Sequence, residues 1–278
     1  MKVLITTDMY TANVNGVVTS VKNLIEELEK KGHEVRVLTV SEKLKSHKDG
    51  NVYFIKSVSL EAVYPKVRMP ISYRHRFITE LIEWKPDVIH SQCEFFSYQF
   101  ASHISKKTGA PIVHTYHALY EQYVTYVLPS QRLGEYFIGK LSKMRLKHAD
   151  VIVAPTQKVE HVLRNYGIQN SIQVIPSGIA LEKHKGQMPA EERQARRQAL
   201  GIPEDHTVLL NLGRLGTEKN LTELLQLLSV ELTHNKKVTL LIVGDGPARQ
   251  ELEEMADHLG IRDHVVFTGM VPPDEVHT

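Results

Sequence analysis

Arg214 and Lys219 stand five residues apart in the stretch LLNLGRLGTEKNLTELLQLL, where an apolar run ends at Gly213 and a leucine-rich helical pattern begins. A guanidinium forks onto phosphate oxygens, and a lysine ammonium acts beside it as a compact point charge. Between a strand end and a helix start, both can face one crevice and hold a phosphate. The free N–H groups of the helix's first turn add to the attraction. Glu218 leaves a second reading open, a solvated loop in which this acid pairs with the cations.

Two glycine-bearing turns offer similar chemistry. In TDMYTANVNGVVTSV, Asn15 and Gly16 precede a helix, and a glycine there lets an anionic ligand approach the backbone. The other reading is a loop with a convenient glycine. In LLIVGDGPARQELE, Gly244 and Gly246 follow a strand, and Pro247 sits near the first position of a helix. A dinucleotide fingerprint needs a third glycine at 249, where Arg249 stands, so a nucleotide-facing turn of another kind is expected.

His114 and His117 flank Tyr116 in PIVHTYHALYEQY, just past a strand end. Two rings spaced i and i+3 there need not converge, and no further Cys or His cluster supports a metal. His117 is expected as an acid/base or hydrogen-bonding group in the crevice. A core histidine with a backbone partner is the alternative, with more weight for His114. The chain has no Asp-x-Asp, the carboxylate pair that commonly carries Mg²⁺ or Mn²⁺ in nucleotide-sugar enzymes. No metal is expected, and a bound diphosphate would be neutralised by Arg214, Lys219 and helix dipoles.

The elements that must position these residues alternate. Strands are expected at KVLITT, HEVRVLTV, NVYFIKS, DVIHSQ, PIVHTY, VIVAPT and IQVIPSG. Helical patterns lie between them, including one from Val17 stopped by Gly32, one over 72–84 and one near 95–108. Such alternation implies a parallel sheet with helices on both faces. The charged stretch ALEKHKGQMPAEERQARRQALGIPEDH reads as a connection and an amphipathic helix. Alternation then restarts with TVLLNLG, a helix from about 220, KVTLLIVGDG, a helix over 248–259, and HVVFTG. Two α/β domains are expected, 1–180 and 181–278, the second short for an independent doubly wound domain.

With 278 residues and 42% hydrophobic content the chain can bury a sizeable core. Net charge is +2, so nucleic acid is not an expected partner. Residues 1–178 hold 23 Lys and Arg against 16 Asp and Glu, whereas residues 179–278 hold 11 against 16. The basic half suits an anionic lipid surface, or reflects ordinary scatter. The single cysteine, Cys93, allows no internal disulfide and fits a reducing compartment. MKVLITTDMY is not expected to be a signal peptide, and no apolar stretch reaches the roughly 18–20 residues of a spanning helix.

Taken together, NVNGVVTSV, HTYHALYEQY, VIPSGI, GRLGTEKN and VGDGP resemble glycosyltransferase family 4, the retaining nucleotide-sugar enzymes of the GT-B fold, over essentially the whole chain. The first two stretches look most like those of the bacterial diacylglycerol glucosyltransferases. The resemblance implies two Rossmann-like doubly wound domains and hexosyl transfer, with glucose passing from UDP-glucose to diacylglycerol or a related membrane lipid. It implies catalytic roles for His117, by the reacting sugar, and for Arg214 and Lys219, on the donor diphosphate. Gly16, Glu218 and Gly244 join the cations in donor binding. No cofactor is implied. An inner-face peripheral location follows from a lipid acceptor, and 132–148, RLGEYFIGKLSKMRLKH, is a candidate interfacial helix, a core-packing helix being the alternative. VYPKVRMPISYRHRF is a second candidate for that surface.

The family's Glu-x7-Glu element is absent before Thr278, so the chain reads as truncated in its second domain. Two other functions stay open: transfer of galactose or another hexose to a lipid or soluble sugar, and a non-catalytic nucleotide- or lipid-binding fragment.

Overall fold

A computed structural model describes residues 1–10, 16–60, 68–117, 131–179, 181, 186 and 188–272. Two compact units divide the chain, Met1–Ile179 and Ala180–Thr278.

The first unit builds one sheet from β1 (Lys2–Thr6), β2 (Glu34–Ser41), β3 (His47–Asp49), β4 (Val52–Ser59), β5 (Arg68–Pro70), β6 (Val88–Ser91), β7 (Ile112–Thr115), β8 (Val151–Ala154) and β9 (Ser171–Val174). Their order is β3-β4-β2-β1-β6-β7-β8-β9, with β5 beside β4. The helices are α1 (Gly16–Lys30), α2 (Arg76–Trp84), α3 (Phe96–Thr108), α4 (Gln131–Leu146) and α5 (Gln157–Asn165).

Period-two alternation places β1 between two apolar layers. Val3 and Ile5 pack with Val21 of α1 on one face, while Leu4 joins Leu81 of α2 and Phe100 of α3 on the other. From β1 the chain builds outward through β2 and β4, then returns to lay β6 on β1's opposite side. That reversal makes the carboxyl ends of β1 and β6 a topological switch point, where open α/β sheets hold their ligands.

Two features depart from the expected pattern of elements. β3 and β5 pair antiparallel with β4. Each has three residues, HKD and RMP, too few for a periodicity to register. The helix expected from 72 begins at Arg76, because the His75 ring accepts a hydrogen bond from the Phe77 amide and caps it.

The second unit holds α6 (Ala190–Ala199), β10 (Thr207–Leu212), α7 (Leu221–His234), β11 (Val238–Val243), α8 (Arg249–His258) and β12 (Val265–Gly269), with the strands parallel in the order β10-β11-β12. Its core joins Leu225, Leu228 and Leu232 of α7 to Leu240 and Ile242 of β11 and Leu252 of α8. Leu210 and Leu212 of β10 remain exposed, and α6 buries none of its residues.

Candidate functional site

Polar residues follow the apolar ones at the β1/β6 switch point: Thr7 and Asp8 after β1, Gln92 and Glu94 after β6, His114 and Thr115 closing β7, and His117 beyond it. His117 Nε2 lies 2.7 Å from Gln92 Oε1. His114 Nε2 lies 3.3 Å from Glu94 Oε1, with both side chains buried. The backbone partner expected for a core His114 is therefore replaced by a carboxylate. His90 Nε2 sits 2.8 Å from Thr115 Oγ1. Asp8 Oδ1 accepts a hydrogen bond of 2.7 Å from the Ser97 amide in the first turn of α3.

Burial dominates the titration of these groups. It lowers His117 to about 4, with His114 pushing the same way and Glu94 opposing. It lowers His90 to about 3, helped by His114 and His117, and both rings are neutral at pH 7. Burial raises Asp8 to about 6 against the hydrogen bonds from Ser97, and the Glu94 charge adds to the rise. The free Cys93 thiol is buried and pushed well above its ordinary range. Gln92, Asp8 and Glu94 were not picked out from the sequence. Their signal was a run of polar residues directly after a buried strand, in TTD and HSQCE.

Asp8 yields a stability prediction with a defined sign. Its folded pKa lies above the unfolded value near 3.8, so ionisation opposes folding. That opposition is complete above about pH 6 and absent below 3.8. Asp8→Asn keeps an oxygen for the Ser97 amide and is expected to stabilise the first unit at pH 8 by on the order of 1–3 kcal/mol. At pH 3.5 the gain disappears. Unfolding followed by the fluorescence of Trp84, the chain's single tryptophan and part of α2, measures both.

Gly16 is the first residue of α1 and not a loop residue ahead of it, and a Cβ there would meet nothing within 4 Å. Residues 11–15 of its loop lie outside the described residues, as do those of VYPKVRMPISYRHRF up to 67.

In the second unit, the turns after β10 and β11 are laced by backbone hydrogen bonds: Gly213 N to Val243 O at 2.9 Å, Leu215 N to Asp245 O at 3.0 Å, and Ala248 N to Leu215 O at 3.0 Å. Leu215 is fully buried, which anchors the turn and leaves its neighbour Arg214 facing solvent. Arg214 pairs with Glu218 at 3.7 Å. Lys219 ends a 3-10 turn, Thr217–Lys219, that leads through the left-handed Asn220 into α7. Arg214, Glu218 and Lys219 thus gather beside the start of one helix, with Gly244 on the adjoining turn. The structure contains the Arg214–Glu218 pair of the solvated-loop reading, at a long 3.7 Å with the Arg214 side chain half exposed and that of Glu218 largely buried, so the guanidinium keeps an open side on which a phosphate could sit.

Gly244 has φ 136°, and a Cβ there would fall on the Gly213 carbonyl oxygen. A Cβ on Gly246 would strike the Leu215 carbonyl oxygen. The glycines therefore let the two turns touch. Arg249, which breaks the dinucleotide fingerprint, closes its turn by pairing with Asp245 at 3.7 Å and Glu253 at 3.0 Å.

The α4 helix turns its small residues inward and its aromatic ones outward. Gly134, Gly139, Ser142 and Leu146 are buried, whereas Tyr136, Phe137, Lys140, Lys143, Met144 and Lys147 form one exposed stripe. Gly139 makes this possible, since a Cβ there would come within 2.7 Å of the Tyr166 ring. Among the described residues no helix is long and apolar enough to cross a membrane.

Comparison with known proteins agrees with this arrangement. The model of Glycosyltransferase Family 4 matches residues 14–183, and that of Glycosyl transferases group 1 matches residues 192–278. An alpha-monoglucosyldiacylglycerol synthase of Streptococcus pneumoniae is 32% identical, over 99% of this chain and 63% of its own length. The protein of the same name from Acholeplasma laidlawii is 28% identical, over 99% of this chain and 71% of its own. The chain thus spans about two thirds of the length of these relatives. Anabaena HepE, crystallised with UDP-glucose, superposes with a TM-score of 0.68 at 16% identity, covering 98% of this chain and 70% of that one. The fold is GT-B, and the chain belongs to Glycosyltransferase Family 4.

Proposed function

We propose that the chain catalyses retaining transfer of a hexose, glucose from UDP-glucose, to diacylglycerol or a related membrane lipid. The observation that carries this reading is the pair of interlocked turns in the second unit, which puts Arg214 and Lys219 beside the start of α7. The likeness to the two monoglucosyldiacylglycerol synthases suggests the sugar and the lipid, and HepE, crystallised with UDP-glucose, suggests the donor.

In the proposed reaction the acceptor hydroxyl attacks the anomeric carbon from the side on which the diphosphate leaves. The new C–O bond forms as the bond to UDP breaks, and the hydroxyl proton passes to the departing phosphate oxygen. Arg214 and Lys219 take up the charge that develops on the diphosphate, with Gly16, Glu218 and Gly244 shaping the donor site and no metal required. His117, neutral and half-buried, offers a hydrogen-bonding ring to the reacting sugar. The test is incubation of the chain with UDP-glucose, UDP-galactose and vesicles containing diacylglycerol, with products and their anomers identified by NMR. Failure to form an α-glucosyl lipid while another acceptor or donor turns over would sink the assignment.

The exposed stripe of α4 supports a peripheral seat on the inner face of the cell membrane. Tyr136 is 63% exposed and Phe137 57%, beside Lys140, Lys143 and Lys147. Aromatic rings enter the headgroup layer while lysines meet anionic lipid, at about 1 kcal/mol per lysine. Reversing Lys140 and Lys147 to glutamate is expected to weaken binding to phosphatidylglycerol vesicles by at least tenfold while leaving UDP affinity unchanged. Equal sedimentation of variant and wild type with vesicles would remove α4 from the membrane surface.

A further inference from the structure

Gln92 sits at the carboxyl end of β6 beside β1, at the switch point of the first unit, and is 2% exposed. Its carbonyl oxygen is 2.7 Å from His117 Nε2. A carbonyl accepts only, so the ring nitrogen facing it carries the proton. The other half of the amide is different: Gln92 Nε2 is buried and has no hydrogen-bond partner among the described residues. An unpaired buried donor forfeits its hydration with nothing in return, and such groups are retained where a ligand or water completes them.

We propose that Gln92 is the positioning residue for His117: its carbonyl oxygen holds the ring as the Nε2–H tautomer and leaves Nδ1 as an acceptor for a substrate hydroxyl. Its unpaired amide hydrogen serves an oxygen of the same substrate. This deepens the transfer reading above and rests on it for the identity of the hydroxyl, which belongs either to the hexose or to the lipid acceptor.

The neighbours of His117 are compatible with a neutral ring. Glu94, engaged by His114 at 3.3 Å, and His114 itself are the titratable groups that act on His117; His90, Asp8 and Cys93 complete the titratable groups described at this sheet end. Gln92 is the uncharged partner among them, so it fixes the tautomer without drawing a second proton onto the imidazole. A carboxylate in its place would favour the imidazolium and abolish the acceptor at Nδ1.

The test is ¹⁵N NMR of the ligand-free chain labelled at histidine, with His117 assigned by its loss in His117→Gln. Wild type is expected to show the Nε2–H tautomer without titration between pH 5.5 and 8. Gln92→Glu, the isosteric change, is expected to bring the His117 titration up into that range, and transfer should then fall with decreasing pH. Gln92→Leu should mix the tautomers and lower kcat about tenfold with less than a twofold change in donor KM. Addition of UDP-glucose, or separately of diacylglycerol vesicles, should shift the Nδ1 resonance and show which substrate carries the hydroxyl. A wild-type Nδ1–H tautomer, a Gln92→Glu titration like that of wild type, or an Nδ1 resonance blind to both substrates would overturn the proposal. The ligand-free spectra need no turnover, so a failed transfer assay with the expected tautomer would fault the function and not Gln92.

Discussion

Replacing Arg214 by alanine is expected to lower the transfer rate by two to three orders of magnitude, the loss typical when one preorganised donor to a developing anion is removed. UDP affinity should fall about 10- to 100-fold, since a charge-assisted hydrogen bond contributes about 1.5–3 kcal/mol. The fold should survive. Arg214 is exposed, its pairing with Glu218 is long at 3.7 Å, and its turn is held by the buried Leu215 and by backbone hydrogen bonds. Surface changes of this kind usually stay within about 0.5 kcal/mol. Arg214→Lys should recover little, because an ammonium cannot fork onto two phosphate oxygens. Calorimetric titration of UDP, run with a thermal melt of each variant, separates the two effects. Unchanged UDP affinity in Arg214→Ala would move the diphosphate away from this turn. A melt shifted by many degrees would reveal that the Arg214–Glu218 pair has a structural role after all.

The parts of this site legible in the sequence share one property: their signal is local. Arg214, Glu218 and Lys219 lie within one stretch between an apolar run and a helix, and the strand–helix alternation around them has a clear period. Gln92 and His117 are 25 residues apart and meet only because β6 and β7 are neighbours. Asp8 reaches the first turn of α3 across 89 residues. No spacing rule announces such meetings, since they depend on strand order. The three-residue strands β3 and β5 were missed for the opposite reason, being too short for any pattern. In α4 the periodicity was visible but its orientation was not. Hydrophobicity points to burial of Tyr136 and Phe137, yet close approach to Tyr166 selects the stripe with Gly139. Packing shape outweighed transfer free energy there, and an aromatic face was left in solvent.

Gly244→Ala is expected to do more damage than any single change on the surface of the second unit, and the reason is that nothing nearby can retreat. Gly244 occupies φ 136°, a region in which a side chain costs about 1–3 kcal/mol. The new methyl would lie on the Gly213 carbonyl oxygen. Gly213 is tied by its amide to Val243 O at 2.9 Å, and Gly244 by its own amide to Gly269 O at 2.8 Å. Moving either residue away breaks a bond between adjacent strands. Overlap of this kind adds about 1–3 kcal/mol more. The combined loss bears on a unit whose sheet has three strands among the described residues and whose first strand leaves Leu210 and Leu212 in solvent. UDP binding should be lost with the turn, because the same hydrogen bonds hold Arg214 in place. Gly178→Ala is the control: a Cβ there meets nothing within 4 Å, and the residue is not left-handed. Trp84 fluorescence follows the first unit during the melt, and far-ultraviolet circular dichroism follows the whole chain. Loss of dichroism ahead of the Trp84 transition would place the damage in the second unit, as the contact with Gly213 requires. A variant that melts with wild type and still binds UDP would mean that the two turns can separate without cost, and that the glycine is not what brings them together.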